Sequence, residues 1–241
     1  MAKPLSGQIA VVTGGTRGIG RAIAEALLDA GAGVVICGRR EPDVARAVEQ
    51  MAKAGNAIIA GRACDVARYE EVAALFRFIK ERFDRLDILV NNAGVGVFER
   101  VDLISAQDWR QVVETNLSGA FYCTREAAPL MRQHGGGFII NIGSLAGKNA
   151  MAGGSAYNAS KFGLIGLSEA SMLDLRYDNI RVSCVMPGSV ATEFGGPGGA
   201  SGEWKIAPRD IAETVLHLLQ LPPRTLASRV EVRPTRPPRK G

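Results

Sequence analysis

The stretch TGGTRGIG, residues 13–20, decides the fold. It follows the apolar run IAVV at 9–12. It precedes a segment, 18–30, in which Ile19, Ile23, Ala26, Leu27 and Ala30 share one helical face. A buried strand therefore feeds a glycine turn, and the turn feeds a helix. Gly14, Gly18 and Gly20 are spaced G-x3-G-x-G rather than G-x-G-x-x-G, with Thr16, Arg17 and Ile19 between them. The physics is the same: glycine lets the backbone approach a pyrophosphate, and a helix N-terminus offers unpaired N–H groups and a positive dipole. A purely structural tight turn is the alternative.

Outward from this turn, strand and helix patterns alternate to the end of the chain. Apolar runs predict strands at 8–13, 33–37, 57–63, 87–90, 137–143, 180–186 and 228–233, the last with one wetter face. Helical spacing predicts helices at 18–30, 42–54, 69–83, 105–132, 155–177 and 208–219. Ser105 with Asp108 resembles a capping box at the start of the fourth, and Pro129 is expected to break it. Apolar strands alternating with helices imply an α/β fold: one doubly wound, mostly parallel seven-stranded Rossmann sheet with helices on both faces. The expected domain is 1–233, with a substrate loop at about 188–207 and a mobile basic tail at 234–241.

The chain of 241 residues suits one large domain, and 46% apolar with 22% charged residues argues against general disorder. No apolar run approaches a membrane span, and the run at 9–12 is too short for a signal peptide. A cytoplasmic protein is expected. Cys37, Cys64, Cys123 and Cys184 form no CxxC pair and read as buried, reduced thiols. His134 and His217 are far apart, so no metal site is expected. The net charge of +5 resides wholly in residues 224–241, which carry six basic residues against Glu231. A solvated tail explains this better than a nucleic-acid-binding face, which would lie within the fold.

The second strand should end beside an adenosine ribose, where an NAD site carries an acidic residue. Here Gly38 is followed by Arg39 and Arg40. Arg39 can form a forked, charge-assisted contact with a 2′-phosphate, and Arg17 can add a second positive charge. NADP(H) is therefore expected over NAD(H); solvated surface arginines are the alternative.

Tyr157 and Lys161 stand four apart in YNASK, on one face of the helix at 155–177. A free tyrosine, with a pKa of about 10, is a poor base near neutral pH. An adjacent ammonium favours its phenolate. Ser144, at the end of the preceding strand, can bond the same substrate oxygen. Such a group suits the proton transfer that accompanies hydride transfer to a carbonyl. A half-buried helical tyrosine is the ordinary alternative.

Taken together, residues 5–220 resemble the short-chain dehydrogenase/reductase family. The resemblance rests on TGGTRGIG, on Asp65-Val66, on Asn91-Asn92-Ala93-Gly94, on Asn116, Ser144, Tyr157 and Lys161, and on Pro187-Gly188 with Thr192. It implies that Asp65 and Val66 contact adenine. It implies that Asn91, Ala93 and Gly94 support the central strand and line the cofactor, and that Pro187, Gly188, Val190 and Thr192 hold the nicotinamide end. Tyr157 is then the proton donor, Ser144 orients the carbonyl, and Lys161 lowers the tyrosine pKa and binds ribose. Asn116 holds a water relay, a solvent-facing asparagine being the alternative. A small-molecule carbonyl or alcohol is the implied substrate. Homodimers or homotetramers formed through the helices at 105–132 and 155–177 are the implied assembly.

The substrate wall is less legible. Leu145, Met151 and Phe194 are candidates, although core packing explains each nearly as well, and Trp109 and Trp204 read as packing residues. A glycine-rich stretch at 193–202 occupies the position of a substrate loop. The broad likeness is to β-ketoacyl-(acyl carrier protein) reductases, but the ending SRVEVRPTRPPRKG departs from that group. A catalytically weak NADPH-binding regulator is the other reading.

Overall fold

Residues 3–53, 58–194 and 202–238 are described by a computed structural model. β1 (Ile9–Thr13) is buried throughout, with Ala10 and Val12 on one face of the sheet and Val11 on the other. Covering both faces is what makes such a strand an unbroken apolar run. β2 (Gly33–Gly38), β3 (Ile59–Ala63), β4 (Ile88–Asn91), β5 (Gly137–Ile142), β6 (Ile180–Pro187) and β7 (Arg229–Val232) complete one seven-stranded sheet. Every pairing is parallel, in the order β3-β2-β1-β4-β5-β6-β7. The order reverses between β1 and β4, and the crevice at such a switch point is where open α/β sheets bind ligands.

α1 (Gly18–Asp29), α2 (Glu41–Ala52) and α7 (Pro208–Gln220) cover one face; Ile23, Leu27, Met51 and Val215 pack with Val12, Ile36 and Val90. α3 (Tyr69–Phe83) and α5 (Gly119–Gln133) cover the other, where Leu75, Ile79 and Met131 meet Val35, Leu89 and Ile139. α4 (Ala106–Val113) precedes α5, and α6 (Ser155–Leu175) follows β5. On the edge strand β7, Arg229 pairs with Glu169, and Glu231 pairs with Lys148 and Arg233. Charged side chains blunt an edge against pairing with another chain.

The expected break at Pro129 is corrected. α5 runs through Pro129 to Gln133, and the interruption falls at a π-turn, Glu114–Ser118. Pro129 and Arg125 both lie on the exposed side of α5, so the carbonyl that proline leaves unpaired can bond water. α6 ends at Leu175 and passes through a 3₁₀ turn to Asn179, whose left-handed backbone (φ 57°) terminates it. Residues 54–57, where one helix was expected to end and β3 to begin, lie outside the described residues. So do 195–201 of the glycine-rich stretch and 239–241 of the tail. Among the described residues, no helix is long and apolar enough to cross a membrane.

Candidate active site

The carboxyl ends of the strands open into a cleft of about 1130 Å³. Its floor is the turn that follows β1. Gly14 and Gly18 have positive φ (63° and 57°), and a Cβ on Gly14 would lie 3.0 Å from the Ala93 Cα. Thr13 Oγ1 accepts from the Asn92 and Ala93 amides, both at 3.0 Å, and Asn92 Nδ2 donates to Thr13 O (2.9 Å) and Gly14 O (3.2 Å). The end of β4 is thereby stitched to the turn. α1 begins without a capping side chain and without an acid in its first turn, leaving its dipole and donors for an anion.

At one end of the cleft lie Arg39, Arg40, Asp65 and Val66. The nearby acids are engaged. Glu41 accepts from the Ala63 amide, and Asp43 pairs with Arg40 (3.3 Å) and Arg46 (4.0 Å). Arg39 has no ion-pair partner among the described residues. Arg17 reaches across the cleft to Glu193 at 3.0 Å, with both side chains about three-quarters exposed. A pair so exposed contributes little and yields readily to a competing phosphate.

At the other end are Ser144, Tyr157 and Lys161, with Pro187, Gly188, Val190 and Thr192 along the wall. Ser144 Oγ accepts from the Ala146 amide at 3.1 Å, which turns the chain out of β5. A Cβ on Gly147 would lie 2.7 Å from the Lys161 carbonyl, so this turn sits directly on α6. Lys161 is buried, and its Nζ donates to Ile142 O at 2.9 Å. Burial holds the Tyr157 phenol above its ordinary value, while a hydrogen bond with Ser144 pulls it down. Burial also brings the lysine down to about 8, so it is still mostly an ammonium at neutral pH.

That depression has a consequence for stability. Between about pH 8 and the ordinary value of 10.5, the unfolded chain binds the Lys161 proton more tightly than the folded one. Stability attributable to Lys161 therefore rises with pH across this window and is lost as pH falls to about 8. Urea unfolding at both ends of the window should move the gap between wild type and Lys161→Met toward the wild type by roughly 3 kcal/mol. A pH-independent gap would mean that the buried amine titrates normally.

Asn116 is not solvent-facing: it is 1% exposed. The π-turn aims its amide inward. Oδ1 accepts from Val95 N (2.8 Å), and Nδ2 donates to Val95 O (2.9 Å) and Ser160 Oγ (3.0 Å). A Cβ on Gly94 would lie 3.4 Å from Asn116 Oδ1 and 3.9 Å from Lys161 Nζ, so both groups border the same bare glycine.

Four expected positions lie elsewhere. Asn91 does not line the cleft; its Nδ2 donates to Asn141 Oδ1 (2.9 Å) and Thr124 Oγ1 (3.3 Å), tying β4 to β5 and α5. Asn92, one residue on, takes the place at the turn. Gly20 is also off the cleft wall; a Cβ there would lie 2.3 Å from both Asn92 Nδ2 and Gly14 O, so its part is close packing of the turn. Leu145 packs against Ile165, Cys184 and Met186, and Met151 is half-exposed outside the main cleft. Phe194 does line the cleft, beside Tyr157. Phe98 also stacks on Tyr157, and nothing in the sequence around it signalled this. Cys37 and Cys64 line the same end of the cleft as Arg39, and all four cysteines are buried and form no disulfide.

A family model described as short chain dehydrogenase matches residues 8–200. The 3alpha-hydroxysteroid dehydrogenase of Mediterraneibacter gnavus is 36% identical over 191 residues, covering 79% of this chain and 76% of that protein. The D-beta-hydroxybutyrate dehydrogenase of Rhizobium meliloti is 38% identical over 184 residues, covering 76% of this chain and 71% of that one. A metagenomic short-chain oxidoreductase solved in complex with NADP superposes with a TM-score of 0.85 at 38% identity, covering 97% of this chain and 99% of its own.

Proposed function

This chain belongs to the short-chain dehydrogenase family, and on that premise we propose that it is an NADPH-dependent oxidoreductase that interconverts a carbonyl and a secondary alcohol. One observation carries the reading. Ser144, Tyr157 and Lys161 meet at one end of a continuous cleft whose other end holds Arg39, without an ion-pair partner among the described residues. The residues fit the cofactor: bare glycines form the pyrophosphate cradle, uncapped helix donors face an anion, and arginine stands where a 2′-hydroxyl reader would carry an acid. The related structure solved with NADP supports the same choice. Arg17 and Arg39 serve the 2′-phosphate, Asp65 and Val66 the adenine, and Pro187, Gly188, Val190 and Thr192 the nicotinamide end.

When bound, NADPH supplies the hydride that the carbonyl carbon receives. Ser144 Oγ already accepts from Ala146, so the one proton it shares with Tyr157 is the proton it can turn to the substrate oxygen. Tyr157 gives its phenolic proton to that oxygen as the C=O π pair moves onto it, leaving a phenolate. The Lys161 ammonium stabilises the phenolate; one of its protons is held by Ile142 O, and the others are free for ribose and water. Asn116, bordering the same glycine, positions the water through which the tyrosine is reprotonated. Alcohol oxidation runs the same steps backwards.

Fluorescence titration with NADPH and NADH, followed by oxidation of the preferred cofactor across a carbonyl panel, tests this reading. NADPH should bind the more tightly and turn over. A preference for NADH would remove the part given to Arg39.

The outer faces of α5 and α6 and the 3₁₀ turn after α6 leave Phe121, Phe162, Leu173 and Tyr177 exposed. Buried against a second copy, these side chains would join α5 and α6 into a homodimer or homotetramer. Light scattering should give two or four times the 25.5 kDa chain mass. A stable monomer at micromolar concentration would overturn the assembly. The buried free thiols suit a reducing compartment, and we assign the protein to the cytoplasm.

A further inference from the structure

Tyr157 does not face the cleft alone. Its ring lies against Phe98 and Phe194, with centroids 5.5 and 5.6 Å away at interplanar angles of 57° and 48°. Phe98 comes from the loop after β4 and Phe194 from the segment after β6, so three parts of the chain converge on one apolar wall. Core packing would bury these rings, yet they are 44% and 43% exposed. Both close over the bare backbone of Gly96, where a Cβ would lie 2.9 Å from Phe98 Cε2 and 3.0 Å from Phe194 Cζ.

The Phe98 side of this wall is fixed. Glu99 N donates to Gly153 O at 2.8 Å, clipping the loop to the segment before α6. Asn158 holds that segment from the helix: Oδ1 accepts from Met151 N (3.1 Å), and Nδ2 donates to Ala146 O (2.5 Å) and Asn149 O (3.0 Å). Flanking charges are matched. Lys148 pairs with Glu231, Arg17 with Glu193 and Arg100 with Asp102, while Lys205 lies over the Trp204 ring.

Building on the oxidoreductase reading above, we infer that Phe98 and Phe194 form an aromatic clamp beside the reacting hydroxyl, and that the substrate is a neutral cyclic or aryl ketone, or its alcohol. Flat apolar rings gain offset and edge contacts with both phenylalanines while their carbonyl points at Tyr157 and Ser144. A short oxo-carboxylate would bring its charge against aromatic faces, with Lys148 and Arg100 already engaged by Glu231 and Asp102.

The test compares 1-tetralone, 2-butanone and acetoacetate as substrates with NADPH, alongside calorimetric binding of 1-tetralone to the protein with NADP⁺. Wild type should favour 1-tetralone over acetoacetate. Phe98→Ala and Phe194→Ala should each lower kcat/KM for 1-tetralone about tenfold, chiefly through KM, while 2-butanone changes little. Phe98→Leu and Phe194→Leu keep the bulk and should lose less. Preference for acetoacetate, or alanine variants that handle 1-tetralone as wild type does, overturns the clamp. Calorimetric binding that weakens in the alanine variants, without any turnover, sustains the clamp and refutes the hydride-transfer reading instead.

Discussion

Tyr157→Phe should abolish carbonyl reduction, lowering kcat by about 10²–10⁴, the range that a positioned acid supplies, while NADPH binds as before. The variant loses one oxygen. The ring keeps its contacts with Phe98 and Phe194, and Ser144 keeps its bond from Ala146, so the local fold has no reason to change. Single-turnover oxidation of NADPH, with a fluorescence titration on the same sample, separates chemistry from binding. Wild-type turnover would give the proton to another group. Weakened NADPH binding would instead make the hydroxyl part of the cofactor's seat.

Arg39→Asp should reverse the cofactor preference. It removes a charge-assisted contact, in the range of about 1.5–3 kcal/mol, and adds repulsion against a 2′-phosphate. NADPH should weaken by about a hundredfold or more on that basis, while NADH, whose 2′-hydroxyl can donate to the new carboxylate, should hold or improve. The remaining arginines do not fully compensate, because Arg40 is shared with Asp43 and Arg17 already serves the same phosphate beside Arg39. Equal loss of both cofactors would mean that Arg39 supports the site without reading the phosphate.

Much of the site was legible because its parts are local. TGGTRGIG is one turn between one strand and one helix, and Tyr157 and Lys161 are one helical turn apart. Asn91 and Asn92 show the limit of such reading. The two are adjacent and chemically identical, yet one bonds across the sheet to Asn141 and the other holds the glycine turn. Which asparagine faces which way depends on the pleat of β4 against its neighbours, and the sequence pattern does not carry that. Pro129 shows the same limit in a helix: its position marks a lost hydrogen bond, but whether the helix breaks depends on whether the freed carbonyl meets water.

The sequence alone determined the order of strands and helices, the parallel sheet, the glycine turn and the placing of Tyr157 and Lys161 on one helix face, because each follows from periodicity or from spacing within one element, whereas Asn116 entered through the family resemblance. Tertiary structure alone decided three things. The π-turn carries Asn116 inward, to the glycine that also borders Lys161. Ser144, from the turn after β5, meets the Tyr157 phenol and pulls it down against the effect of burial. Phe98 and Phe194, 96 positions apart in the chain, close on the same tyrosine ring. All three depend on contacts between segments distant in sequence, and the packing of the whole sheet and its helices sets those distances.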